Sequence, residues 1–114
     1  MKTTGDEAEQ LASTYLQKQG LTLLEKNYRC RFGEIDLILQ DQKTLVFAEV
    51  RLRRNLNFGG AASSITQQKQ TRLIRTAQHF LSAQHNPPPC RFDVVLLNEL
   101  SLANIEWIKN AFGQ

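Results

Sequence analysis

The feature that most constrains the fold is a pair of largely apolar segments separated by a short polar group. The first is Gly33-Glu34-Ile35-Asp36-Leu37-Ile38-Leu39 and the second is Leu45-Val46-Phe47-Ala48-Glu49-Val50-Arg51-Leu52-Arg53, with Gln40-Asp41-Gln42-Lys43 ahead of the second. Segments of this length, bounded by polar residues, read as strands, and the short spacer makes them a hairpin although it lacks an Asn-Gly signal. Side chains alternate between faces along a strand, so Glu34, Asp36 and Ile38 share one face and Glu49, Arg51 and Arg53 share another. A hairpin centred on Gln42 and Lys43 sets Asp36 opposite Glu49 and Glu34 opposite Arg51, with opposed side chains about 5 Å apart at Cβ.

Two carboxylates facing each other in the apolar middle of a sheet repel one another and are costly to desolvate. A divalent cation compensates them well, because Mg²⁺ takes oxygen ligands and commonly uses one or two carboxylates with waters. Arg51, two residues beyond Glu49 on the same face, then places a positive charge over a phosphate. That layout suits metal-assisted hydrolysis of a phosphodiester. The same residues also fit a simpler arrangement, a salt-bridge network of Asp36, Glu49 and Arg51 on a solvated sheet face.

The rest of the chain supplies a frame for this hairpin. Ala8, Leu11, Ala12, Tyr15 and Leu16 follow helical spacing over residues 6–19, and Gly20 stops that helix. Glu9 lies about 80° from the centre of its apolar face, nearer than Glu7 or Asp6. Residues 21–29, 34–40 and 44–53 read as three strands, the first with Leu21 and Leu23 on one face. Residues 55–63 form a glycine-bearing loop. Ser64 and Gln67 suggest a capping box for a helix over about 65–85, with Leu73, Ile74, Ala77, Phe80 and Leu81 on its apolar face and Arg72 and Arg75 opposite. Asn86-Pro87-Pro88-Pro89 ends it. Residues 91–97 read as an interior strand and 104–109 as a weaker last one, with Trp107, Ile108 and Phe112 packing this last strand or helix turn onto the core. The order is αβββαββ, in a chain of 114 residues that makes one domain, 1–114.

No apolar run approaches the roughly 20 residues of a membrane span, and the N-terminus lacks the apolar core of a secretory signal, so a cytoplasmic protein is expected. Net charge is only +3, but its distribution is uneven. Residues 51–92 carry Arg51, Arg53, Arg54, Lys69, Arg72, Arg75 and Arg91 and no acid, a landing surface for a polyanion if these cluster in space. Cys30 and Cys90 have neither disulfide-framework nor metal-cluster spacing and read as free thiols near strand starts. His79 and His85 are six apart, the wrong spacing for two ligands on one helix face.

The Asp…Glu-x-basic hairpin is similar to that of the PD-(D/E)xK nuclease superfamily. More closely, the chain resembles the YraN-like family of bacterial proteins, described as predicted endonucleases distantly related to archaeal Holliday junction resolvases. The resemblance covers nearly the whole chain: Gly5 through Leu16, Asn27-Tyr28-Arg29-Cys30, Gly33-Glu34-Ile35-Asp36-Leu37-Ile38, Val46-Phe47-Ala48-Glu49-Val50, Phe58-Gly59, Lys69 and Arg91-Phe92-Asp93-Val94. It implies an α/β, restriction-endonuclease-like core, a mixed central sheet flanked by helices. It implies that Asp36 and Glu49 are ligands of Mg²⁺ or Mn²⁺, with the Val50 carbonyl a third and Glu34 either a further ligand or a partner of Arg51. Glu9 becomes the helix carboxylate reaching into the site, and Lys69 approaches from the second helix. The superfamily's lysine is Arg51 here, which keeps the charge but does not act as a base at physiological pH.

The expected function is a metal-dependent endonuclease acting on DNA, branched or otherwise structured. Glu9, Asp36, Glu49, Arg51 and Lys69 would form the site, and Arg53, Arg54, Arg72 and Arg75 would grip the backbone. The resemblance permits a homodimer. Two other classes fit the same residues: a nucleic-acid-binding module with vestigial carboxylates, and a protein-interaction scaffold whose basic stretch is only a solvated surface.

Overall fold

The computed structural model of the protein describes residues 4–52, 65–98 and 105–113. The elements, in chain order, are helix α1 (Thr4–Lys18), strands β1 (Thr22–Cys30), β2 (Gly33–Asp41) and β3 (Thr44–Leu52), helix α2 (Gln67–Leu81), and strands β4 (Cys90–Leu97) and β5 (Ile105–Phe112). The order αβββαββ is the expected one, and the fold is the expected mixed sheet flanked by helices. The five strands form one sheet in the order β1-β2-β3-β4-β5. All neighbours are antiparallel except β3 and β4, which are parallel and are connected through α2. Among the described residues no helix is long and apolar enough to cross a membrane.

Each helix covers one face of the sheet. Ala8, Ala12 and Leu16, spaced at i, i+4 and i+8, bury α1 against Leu37, Leu39, Val46, Ala48, Val95 and Leu97. The end of α1 is a Schellman motif: the Gly20 N–H donates to the Gln17 carbonyl (3.0 Å) and the Leu21 N–H to the Leu16 carbonyl (3.1 Å). Gly20 takes φ +101°, and Leu21 and Leu16 pack in the same cluster, the hydrophobic contact that accompanies this cap. On the opposite face α2 packs Leu73 and Ala77 against Ile38, Leu45, Phe47, Phe92, Val94 and Leu96.

The α2 cap differs from expectation. Thr66 Oγ1 accepts the Lys69 N–H (3.1 Å) and is the N-cap, so the helix starts two residues later than a cap at Ser64 would place it. Ser64 itself, the 55–63 loop, Arg53 and Arg54 lie outside the described residues. The helix ends at Leu81 with Ser82 as C-cap rather than running to 85. Cys30 closes β1 instead of opening a strand, and both cysteines are free. Phe112 stacks on Phe92 with centroids 5.0 Å apart, and Trp107 meets Tyr15 edge-on at 6.3 Å, so the last strand is pinned to both layers as expected.

The β2–β3 register is the one that the polar spacer implies, from Asp41↔Thr44 to Leu37↔Ala48. Simple alternation fails next to it. Leu37, paired with Lys26, belongs to the α1 face, and Lys26 Nζ donates to Gln10 Oε1 on α1. Ile35, paired with Tyr28, belongs to the α2 face, where Tyr28 meets Phe80. The facing therefore switches across Asn27 and Asp36. Asn27 takes φ +53°, a left-handed conformation that Asn tolerates better than most residues. Asp36 is thereby set at the junction between the two helix-covered layers.

Candidate active site

The cleft at this junction has a volume of about 440 Å³ and is lined by Cys30, Arg31, Phe32, Gly33, Glu34, Asp36, Glu49, Lys69, Arg72 and Leu73. One wall is the two-residue turn between β1 and β2, the other is the first half of α2, and the floor is the acidic end of β2 and β3. Gly33 lets the walls approach. Its φ is +150°, and a Cβ there would stand 3.2 Å from Thr76 Oγ1 on α2.

Asp36 and Glu49 form the floor, and both are buried, at 8% and 4% exposure. The Val50 N–H donates to Asp36 Oδ2 at 2.8 Å. Asp36 also hydrogen-bonds to Glu49. Burial, then the hydrogen bond and negative charge of Glu49, push the Asp36 carboxyl up to about 9, so at neutral pH Asp36 holds a proton that it can direct at Glu49. Lys69 Nζ stands 2.7 Å from Glu49 Oε2. The ammonium neutralises that buried oxygen and is its only charged partner among the described residues.

Glu9 reaches Asp36 from the α1 side and hydrogen-bonds to Asp36 and Asn27. Burial raises its carboxyl above the ordinary range, and the charge on Glu34 adds to this. The helical-wheel placement of Glu9 thus brings it to Asp36, although it does not line the cleft itself.

Several expected residues sit differently. Glu34 lines the cleft but is hydrogen-bonded and ion-paired with Arg29, its cross-strand neighbour in β1. The pairing with Arg51 expected from an unbroken hairpin does not form, because the β2–β3 ladder runs only as far as Leu37↔Ala48. Val50, expected to offer its carbonyl, meets Asp36 through its N–H. Arg51 does not line the cleft, and its buried Nε has no hydrogen-bonded partner among the described residues. Arg72 lines the cleft and is exposed, as is Arg75 on the same helix.

Among the described residues no group of three or more His, Cys, Asp or Glu side chains forms a ready metal cage. The donor set is instead two carboxylates, held together by the proton on Asp36 and by one ammonium. A hydrated divalent cation fits such a set, since it can replace the proton and the lysine as the compensating charge.

Sequence reasoning missed two groups. Asn27 makes the switch in facing; its place two residues ahead of Arg29 carries no signal beyond the left-handed tolerance of Asn. Asp93 is fully buried and accepts from Arg91 Nε (3.0 Å), Trp107 Nε1 (2.9 Å) and the Asn110 N–H (2.9 Å). Arg91 also donates to Asp41 Oδ2 at 3.0 Å. Arg91 therefore ties β4 to the end of β2, across β3, and does not join Lys69 and Arg72 at the cleft.

A model of the Uncharacterised protein family UPF0102 matches residues 8–97. A UPF0102 protein of Nitrosomonas europaea is 59% identical over 110 residues, covering 96% of this chain and 93% of that protein. One of Methylobacillus flagellatus is 54% identical over 113 residues, 99% of each chain. One of Alcanivorax borkumensis is 51% identical over 115 residues, 97% of this chain and 92% of its own length.

Proposed function

This chain belongs to the UPF0102 family, and from that membership and the geometry of the cleft we propose that it is a cytoplasmic, divalent-metal-dependent endonuclease that hydrolyses DNA phosphodiester bonds in branched or otherwise structured DNA. The observation that carries the reading is the buried Asp36–Glu49 pair at the floor of the cleft, with the Lys69 ammonium 2.7 Å from Glu49. A stability-driven sheet has little use for two carboxylates in contact at its buried end.

Asp36 and Glu49 would hold Mg²⁺ or Mn²⁺, and the cation would supply Lewis acidity to the phosphate and stabilise the charge that develops on it. The Val50 N–H and Glu9 fix the orientation of Asp36. Lys69, rather than Arg51, is the basic side chain paired with the cleft carboxylates, so the role of the superfamily lysine passes to it. Its side chain, one-third exposed at the cleft wall, is placed to pair with a phosphate oxygen once its hold on Glu49 is relieved. Arg72 and Arg75 add positive charge along α2 for the DNA backbone. Arg51, half-buried two residues beyond Glu49 in β3, does not line the cleft and is given no contact with substrate.

The test is cleavage of four-way, flapped, single-stranded and duplex DNA with Mg²⁺ or Mn²⁺ against a chelator control. Wild-type protein should cut at least one structured substrate. Asp36→Asn and Glu49→Gln should abolish cutting, and Lys69→Ala should slow it about 10²-fold or more. Salt-dependent binding without cleavage of any substrate would replace this reading by the binding module.

A further inference from the structure

Resting on the reading of the cleft as a DNA site, we infer that the Arg31–Phe32 turn is a stacking platform for an unpaired nucleobase, so that the cleft selects single-stranded or branched DNA over continuous duplex. Phe32 lies at the turn between β1 and β2, half-buried, and lines the same cleft as Asp36, Glu49 and Lys69. It belongs to neither core cluster. An aromatic ring at a solvent-facing turn is thus held outside the core that would otherwise account for it.

Its surroundings have the chemistry of a base-binding surface. The exposed Arg31 guanidinium stands 4.8 Å from the Phe32 ring centroid. His79 on α2 meets the ring edge-on at 6.2 Å. The Tyr28 hydroxyl in turn stands 2.6 Å from His79 Nδ1. Arg31 and Phe32 thus line the cleft, and contacts through His79 to Tyr28, which packs on the core, anchor the Phe32 ring to α2 and β1. Lys69 and Arg72 flank it on the helix side. Rings and guanidinium planes that accept stacked bases, beside cations that accept phosphates, are the recurring elements of single-strand binding.

The selectivity follows from where the base comes from. A base in continuous duplex must be unpaired and unstacked before it can reach the ring, and an already unpaired base pays no such cost. The platform thus favours flaps, gaps and junction centres without reading sequence.

The test is done in chelator, where nothing is cut. Anisotropy compares a single strand carrying 2-aminopurine with its matched duplex, and 2-aminopurine emission reports stacking directly. Wild type should prefer the single strand and quench the probe. Phe32→Ala should lose about 5- to 150-fold of single-strand affinity and the quenching, with duplex affinity unchanged, and Phe32→Trp should restore both. Melting curves confirm that each variant is folded. An unchanged single-strand to duplex ratio in Phe32→Ala, or no preference in the wild type, overturns the platform while leaving the nuclease reading intact. Failure of the wild type to bind either DNA overturns the nuclease reading and the platform together.

Discussion

Asp36 Oδ2 accepts the Val50 N–H at 2.8 Å just past Leu37↔Ala48, where the β2–β3 ladder ends. The side chain takes the place of a ladder carbonyl and satisfies an amide that the parting strands would otherwise leave without its bond. The same carboxyl touches Glu49 and Glu9, so the acid that closes the sheet is also the centre of the candidate site. Structure and proposed function are joined in one side chain, and its substitution should separate them.

Asp36→Asn should inactivate the protein and stabilise it. Asparagine keeps an acceptor for Val50 and removes the titrating proton. In the folded state Asp36 holds its proton up to about pH 9, far above an unfolded carboxyl near 4. The folded state thus binds the extra proton across that window, and metal-free stability falls as pH rises from about 4 toward 9. Chemical denaturation over that range should show the decline in the wild type and a flatter curve in Asp36→Asn. The variant should be about 1–2 kcal/mol more stable at neutral pH. Parallel curves for the two proteins would contradict a proton held on Asp36.

Cation binding should release a proton. Calorimetric titration of Mn²⁺ in buffers of different ionisation enthalpy should give different apparent heats, and affinity should rise with pH. Lys69→Met removes the ammonium that neutralises Glu49. It should cost about 1–3 kcal/mol of metal-free stability and tighten Mn²⁺ binding. Buffer-independent heats, or weaker Mn²⁺ binding in Lys69→Met, would argue that the carboxylates are not the ligands.

Gly33→Ala should loosen the cleft. The backbone there has φ +150°, and the added methyl would meet Thr76 Oγ1 at 3.2 Å. Thr76 is fully buried and its hydroxyl donates to the Arg72 carbonyl at 2.8 Å, so it has no easy retreat. A loss of about 1–3 kcal/mol is expected. Thr76→Ala in the Gly33→Ala background should recover the steric part and not the backbone part. Full additivity of the two changes would show that the methyl and the hydroxyl never meet.

The arginines of the acid-free stretch should divide by function. Arg91→Ala removes a donor from buried Asp93 and from Asp41 and should cost about 2–4 kcal/mol, with the salt dependence of DNA binding unchanged. Arg72→Ala and Arg75→Ala should leave stability within about 0.5 kcal/mol. Each should lower the slope of log affinity against log salt by about one unit. Equal slopes for all three variants would move the DNA contact away from α2.

Much of this was legible because turn chemistry and apolar spacing are local. Gln42 and Lys43 set the hairpin register, and one helical period set Glu9 beside the apolar face of α1. Pairing Glu34 with Arg51 assumes that the β2–β3 ladder continues past Asp36, and it stops at Leu37↔Ala48. Thr66 caps α2 in place of Ser64 because either hydroxyl suits the role and only the helix start decides. Asp93 was opaque because its donors, Arg91 apart, come from another strand, Trp107 and Asn110.

The two-residue turn between β2 and β3 also sets an order of events. A hairpin this tight closes within about 1–10 μs, whereas Lys69 meets Glu49 across a much longer separation in the chain. Asp36 and Glu49 therefore meet before the Lys69 ammonium docks against them. If this contact forms in the folding transition state, the proton on Asp36, or a cation in its place, is what neutralises the pair at that stage. Refolding should slow as pH rises and quicken when Mn²⁺ is in the refolding buffer.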